Sequence, residues 1–208
     1  MQKNSELYKA WCLSLVTNTD RRDWMLSIKD KIGLDFEFWD ATTPDEITNE
    51  IKEKYFKYVN FYEWDVIVDA VMATFISHMN ILKWSVDNQT NVILIEDDLE
   101  YTTPFDWNTI NWDEFDIFKL GEVGMNCYSY AVTWQGAQKL LLHYNSIDIM
   151  EAYDLELSRA KLYIKDIKFK YLSRPIFLQV QNKFISNLIR SGSIYKRIIT
   201  HNKNKKLI

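Results

Sequence analysis

The stretch Asn91 to Tyr101, NVILIEDDLEY, sets the tightest limit on what this chain can fold into. Its apolar, mostly β-branched run from Val92 to Ile95 suits a buried strand, and three consecutive carboxylates, Glu96, Asp97 and Asp98, stand where that strand must end. Alternation along a continuing strand would put Glu96 and Asp98 on one face and Asp97 on the other. Three acids at the carboxyl edge of a sheet repel one another, and each costs several kcal/mol if it loses water without gaining a partner. A hard divalent ion, Mg²⁺ or Mn²⁺, carrying a phosphate on its other side would answer that need with one or two carboxylates. An acidic helix start or a solvated turn is the competing reading of the same short string.

The 208 residues, 47% hydrophobic and 26% charged, suffice for one sizeable core and are few for two. Residues 1–195 are therefore expected to form a single domain and 196–208 a basic tail. A net charge of -4 excludes nucleic-acid binding through a general positive field. Cys12 and Cys127 are far apart and no Cys/His cluster has zinc spacing, so buried, inert thiols in the reducing cytoplasm are expected. The first ten residues lack the apolar core of a secretion signal, and no apolar run approaches a membrane span. A soluble chain is the expectation. The 8 tryptophans suit ordinary packing and sugar stacking equally well.

Trp11 to Val16 reads as a buried strand, followed by a polar turn from Thr17 to Asp20 and an amphipathic helix with Asp20 as N-cap and Gly33 as its stop. A strand, a turn and a helix start aim backbone N–H groups at an anion. Arg21 and Arg22 add two cations there; a solvated pair is the alternative reading. Phe36 to Trp39 alternates as a second strand, and Thr42 to Glu46 forms a loop that caps a helix. Ile47 to Tyr62 shows no clean period. From Val66 to Asp87 the pattern is helical, with Ile67, Val71, Phe75, His78 and Leu82 on one stripe. His78 thus faces the apolar side, as a satisfied core histidine would.

After Pro104 comes an acidic aromatic loop through Trp107 and Trp112, then a strand from Ile117 to Leu120 leading to Gly121 and Gly124. Tyr128 to Thr133 alternates as another strand, Gln135 to Tyr144 is a helix packed by Ala137, Leu140 and Leu141, and Ile147 to Tyr163 is helical with Asp148, Glu151, Asp154 and Glu156. Ile176 to Val180 is the expected last strand. The tail from Lys196 is a frayed end or a contact for an anionic membrane surface. Strands alternating with helices predict an α/β fold, a Rossmann-like open sheet flanked by helices with ligand sites beyond the strands' carboxyl ends.

GxGxxG and GxxxxGK[ST] are absent, which argues against a dinucleotide dehydrogenase and a P-loop NTPase, and no nucleophile elbow surrounds Ser77. What remains is a cationic turn for a diphosphate, acids for a metal, and downstream carboxylates able to act as a base, the parts needed for transfer from a nucleotide-sugar.

The chain also resembles glycosyltransferase family 25, the proteins of lipopolysaccharide and collagen glycosylation. The resemblance runs through LSLVTNTDRRDWM (Leu13 to Met25), FEFWDAT (Phe36 to Thr42), FISHMNILKW (Phe75 to Trp84), VILIEDDLEY (Val92 to Tyr101), FDIFKLGE (Phe115 to Glu122), YAVTWQGAQKLL (Tyr130 to Leu141) and PIFLQVQ (Pro175 to Gln181). Each piece is weak alone, and their shared order is specific. The resemblance implies a GT-A type fold and inverting transfer of a hexose, galactose or glucose favoured, from a UDP-sugar donor to a glycan or glycolipid acceptor, with Mn²⁺ or Mg²⁺. In its pattern Glu96, Asp97 and Asp98 match the acidic DxD-like motif, with Asp98 the metal ligand and Glu96 and Asp97 nearer the donor. Arg21 and Arg22 match the paired arginines, Ser77 and His78 the Ser-His pair, and Thr17 stands in the donor-binding turn. Asp154 fits the position of the catalytic base better than Asp148. Ala70 and Ala73 stand where the family shows glycine, which leaves a degenerate, non-catalytic nucleotide-sugar- or carbohydrate-binding module as the alternative function. A purely structural protein using its aromatic surface is a third.

Overall fold

The computed structural model describes residues 7–56, 65–121, 128–147, 149 and 152–179. Chain order runs β1 (Tyr8–Ser14), α1 (Thr19–Ile32), β2 (Phe36–Asp40), α2 (Asn49–Tyr55), α3 (Asp65–Asp87), β3 (Asn91–Glu96), β4 (Leu99–Tyr101), β5 (Ile117–Lys119), β6 (Ser129–Val132), α4 (Trp134–Tyr144), α5 (Tyr153–Tyr163), β7 (Phe169–Tyr171) and β8 (Phe177–Gln179). Six strands form one sheet in the order β2-β1-β3-β6-β5-β7. β1 pairs parallel with β2 and β3, and β5 parallel with β7, whereas β6 runs antiparallel to both β3 and β5. The sheet is therefore mixed: β6 alone is reversed among these six, a reversal that residue periodicity does not reveal.

Continuous apolar runs mark strands covered on both faces, and β3 shows why. Val92 and Leu94 enter a cluster with Met72, Ile76 and Met79 of α3 and Leu140 of α4, while Ile93 and Ile95 enter one with Met25 and Ile32 of α1. β6 divides likewise, Tyr130 and Val132 to the first side and Ala131 to the second. Helices thus cover both faces, as the α/β reading anticipates. Cys12 is buried. No helix among the described residues is long and apolar enough to cross a membrane.

Several boundaries differ from the sequence expectation. β1 begins at Tyr8 and ends at Ser14, and Asn18 rather than Asp20 precedes the first turn of α1, with no side-chain cap because its amide is drawn elsewhere. Gly33 does end α1 in a left-handed conformation at φ 65°, its N–H reaching the Lys29 carbonyl. β3 stops at Glu96, so Asp97 and Asp98 form a turn into β4 and strand alternation does not govern where they point. α2 lies inside the stretch that had no readable period, and the helix expected from Ile147 starts only at Tyr153. β7 was not foreseen. β8 pairs with β4 in a separate two-stranded sheet. The basic tail, Gly124, Cys127 and Asp148 lie outside the described residues.

Gly136 shows how tightly α4 meets the sheet. Thr133 caps α4 by accepting the Gly136 N–H at 3.0 Å, and a β-carbon at Gly136 would stand 2.5 Å from the Asp116 carbonyl oxygen. Glycine-to-alanine in a helix ordinarily gains about 0.5–1 kcal/mol. Here the obstacle is backbone, and Gly136→Ala is expected to lose about 1–3 kcal/mol on equilibrium urea unfolding; an unchanged or raised midpoint would show that α4 can shift away at no cost.

Candidate functional site

Because β1, β2 and β3 are parallel, Ser14, Asp40 and Glu96 finish at one edge of the sheet, with Ser14 beside Asp40 and Leu13 beside Glu96. The reversed β6 brings its amino end to the same edge, where the Tyr128 carbonyl accepts the Glu96 N–H at 2.8 Å. A cleft of about 540 Å³ opens there. Its lining draws Ser14, Asn18 and Arg21 from the end of β1 and the start of α1, Ala41 and Thr42 from the loop after β2, Ala73, Ser77 and His78 from α3, the three acids from the end of β3 and its turn, and Tyr128, Tyr153, Asp154 and Gln179 from later segments. Glu96, Asp97 and Asp98 all line it, the turn having released the last two from alternation.

The acids do different work. Asp97 is buried and fully engaged: Oδ2 accepts from Ser14 Oγ at 2.7 Å and Asn18 Nδ2 at 3.3 Å, and Oδ1 from Arg21 Nη1 at 2.8 Å. Asp98 has Oδ2 near two donors, Gln179 Nε2 at 3.1 Å and Arg21 Nη1 at 3.7 Å, while its Oδ1 is buried without a hydrogen-bond partner. Burial, then the neighbouring Glu96 charge, pushes the Asp98 carboxyl up to about 6, against the pull of Gln179 and Arg21. Glu96 is pushed up to about 7, first by burial and then by Asp97 and Asp154. Its side chain nonetheless keeps 26% of its surface open to the cleft.

His78 Nε2 lies 3.3 Å from Glu96 Oε1. Burial drives its imidazole down to about 3, so the contact is one between a neutral ring and the carboxyl group rather than an ion pair. His78 is the buried, satisfied histidine that the stripe predicts, yet it also reaches the cleft. Ser77 Oγ donates to the Ala73 carbonyl at 2.7 Å and accepts from the Thr42 N–H at 2.9 Å, tying the loop after β2 to α3. Asp154, in the first turn of α5, has its carboxyl raised by burial, partly countered by hydrogen bonding from the Leu155 N–H.

Two residues expected at the donor lie elsewhere. Arg22 reaches Asp40 at 2.6 Å and the Ser14 carbonyl at 2.9 Å, and its guanidinium lies over the Phe38 ring. Thr17 is exposed and does not line the cleft. Conversely, Ser14, Asn18, Tyr130, Tyr153 and Gln179 join the site unforeseen. Only Tyr130 left a signal: a tyrosine alternating inside a buried strand needs a partner for its hydroxyl.

Among the described residues no group of three His, Cys, Asp or Glu side chains is placed to hold a metal. The unpartnered Asp98 Oδ1 still fits a hard cation that takes one or two carboxylates and brings water and phosphate oxygens for the rest.

Clustered acids with raised values cost stability at neutral pH. A folded Asp98 keeps its proton up to about 6, whereas the ordinary value is 3.8, so the folded state binds more protons across that window. Stability therefore falls as pH rises through it, and Glu96 prolongs the fall to about 7. Asp98→Asn is expected to raise unfolding stability by about 1–2 kcal/mol near pH 8 and leave it unchanged near pH 4. Denaturation curves at both pH values check this, and a variant less stable near pH 8 would contradict it.

No curated protein matches the chain. The family model described as glycosyltransferase family 25 (LPS biosynthesis protein) matches residues 8–109. Across that matched stretch, which carries Arg21, the Ser77-His78 pair and all three acids, the chain is similar to glycosyltransferase family 25.

Proposed function

We propose that this chain is a metal-dependent, inverting glycosyltransferase of GT-A type that moves a hexose, galactose or glucose favoured, from a UDP-sugar to a hydroxyl of a glycan or lipid-linked acceptor. The observation that carries the reading is the convergence of Arg21, the three acids and Asp154 on one cleft. Its volume, about 540 Å³, is in the range that small ligands fill.

Arg21 presents a guanidinium toward the diphosphate while Asp97 holds it in place. Asp98, through Oδ1, would hold Mn²⁺ or Mg²⁺, with Glu96 beside it meeting donor hydroxyls. The bound ion would offset negative charge on the departing diphosphate. Asp154 is the base: its raised carboxyl takes the acceptor hydroxyl proton as the oxygen bonds to the anomeric carbon. The bond from that carbon to the diphosphate oxygen breaks with its electron pair on UDP. Attack from the opposite side inverts the centre.

Donor binding without transfer is the second reading, favoured by the methyl groups of Ala70 and Ala73 on the cleft wall in place of glycine. One variant separates the two. Asp154→Asn is expected to lower UDP release with an acceptor by about 100-fold or more while Mn²⁺ with UDP still raises the melting temperature. Undiminished release would remove Asp154 from the role of base. A wild-type chain that binds UDP yet turns over no UDP-sugar against a broad acceptor set would favour the binding module.

A further inference from the structure

Behind Glu96 lies a buried polar chain that the transfer chemistry does not explain. His78, on α3, is 1% exposed, and Tyr130 of β6 and Tyr153 of α5 are 0% and 2%. The Tyr153 ring stacks on the imidazole at 3.9 Å between centroids and 12° between planes. His78 Nδ1 lies 3.1 Å from the Tyr130 hydroxyl, which lies 2.9 Å from the Tyr153 hydroxyl. On the other side of the ring, Nε2 meets Glu96 Oε1 at 3.3 Å.

These contacts have one consistent polarity when Glu96 is a carboxylate. A carboxylate only accepts, so Nε2 must carry the imidazole hydrogen. A neutral imidazole has a single N–H, which leaves Nδ1 as an acceptor. The Tyr130 hydroxyl has one hydrogen to give, and Nδ1 takes it. Its oxygen then accepts from the Tyr153 hydroxyl. Hydrogens therefore run from Tyr153 to Tyr130 to His78 to Glu96, and burial makes any broken link costly, since a buried polar group without a partner keeps the whole penalty of having lost its water.

We propose that Tyr130 and Tyr153 are positioning residues, whose hydroxyls hold the imidazole of His78 through Nδ1 in its Nε2–H tautomer, so that Glu96 is held with its remaining lone pairs offered to a hydroxyl of the bound donor. The tautomer stands on these contacts with Glu96 ionised. The role toward a donor hydroxyl rests on the nucleotide-sugar reading above.

The chain has three histidines, so ¹⁵N spectra of the imidazoles resolve the question directly, with His78→Gln identifying the His78 signals. In mildly alkaline buffer, wild-type His78 is expected to show the Nε2–H pattern alone. Tyr130→Phe, which keeps the ring and removes the hydroxyl, is expected to retain that tautomer, to move the Nδ1 resonance to that of an acceptor without a donor, and to weaken UDP binding by about 3- to 10-fold. Tyr153→Phe retains the stacking and should move Nδ1 less, and it serves if Tyr130→Phe does not fold. An Nδ1–H pattern in the wild type, or an Nδ1 resonance unmoved in both variants, overturns the proposal. The expected Nδ1 response in a chain that binds no UDP would instead sink the donor role and leave the tautomer assignment standing.

Discussion

The grip on Asp97 is the constraint on which the site depends. One carboxylate receives the Ser14 hydroxyl from the end of β1, the Asn18 amide from the start of α1 and the Arg21 guanidinium from its first turn. Three donors from the single stretch Ser14 to Arg21 thereby close around one anion 76 to 83 positions further along the chain. A buried ion pair of this kind is held by its additional hydrogen bonds as much as by Coulomb attraction, since both charges have lost most of their water. It also divides labour among the acids: with Asp97 saturated, the reactive capacity of the cluster passes to Asp98 and Glu96.

That division explains the electrostatics of the cleft. Neither Asp98 nor Glu96 has a full counter-charge, and burial together with repulsion from neighbouring carboxylates raises both. A fold selected for stability alone would neutralise such a cluster. Stored repulsion at a concave site is what a cation, or a hydroxyl-bearing ligand, can relieve on binding. Arg21, touching Asp97 closely and Asp98 more distantly, keeps the site from being purely anionic.

Much of the scaffold was legible in the sequence. The apolar runs of β1, β2, β3, β5 and β6 and the stripe of α3 announce themselves, because burial on two faces or on one stripe leaves a period. β4 and β7, three residues each, are too short to show one. The direction of β6 depends on connections, which composition does not encode. For the site, Arg21, His78, Glu96, Asp97, Asp98 and Asp154 were named and do share a cleft, while Arg22 was not separable from Arg21 because adjacent helical positions differ only in azimuth. Ser14, Asn18 and Gln179 stayed hidden: a polar residue at a strand tip reads the same whether it meets water or a carboxylate.

The small β4–β8 sheet has a temporal consequence. β4 follows directly from the acidic turn, yet its partner strand carries Gln179, eighty-one positions beyond the Asp98 that it holds. Synthesis is vectorial, and amino-terminal segments collapse first. The acids, the arginine and the first strands can therefore assemble on the ribosome well before the amide that steadies Asp98 has been made, so the lining of the cleft is completed last at Gln179.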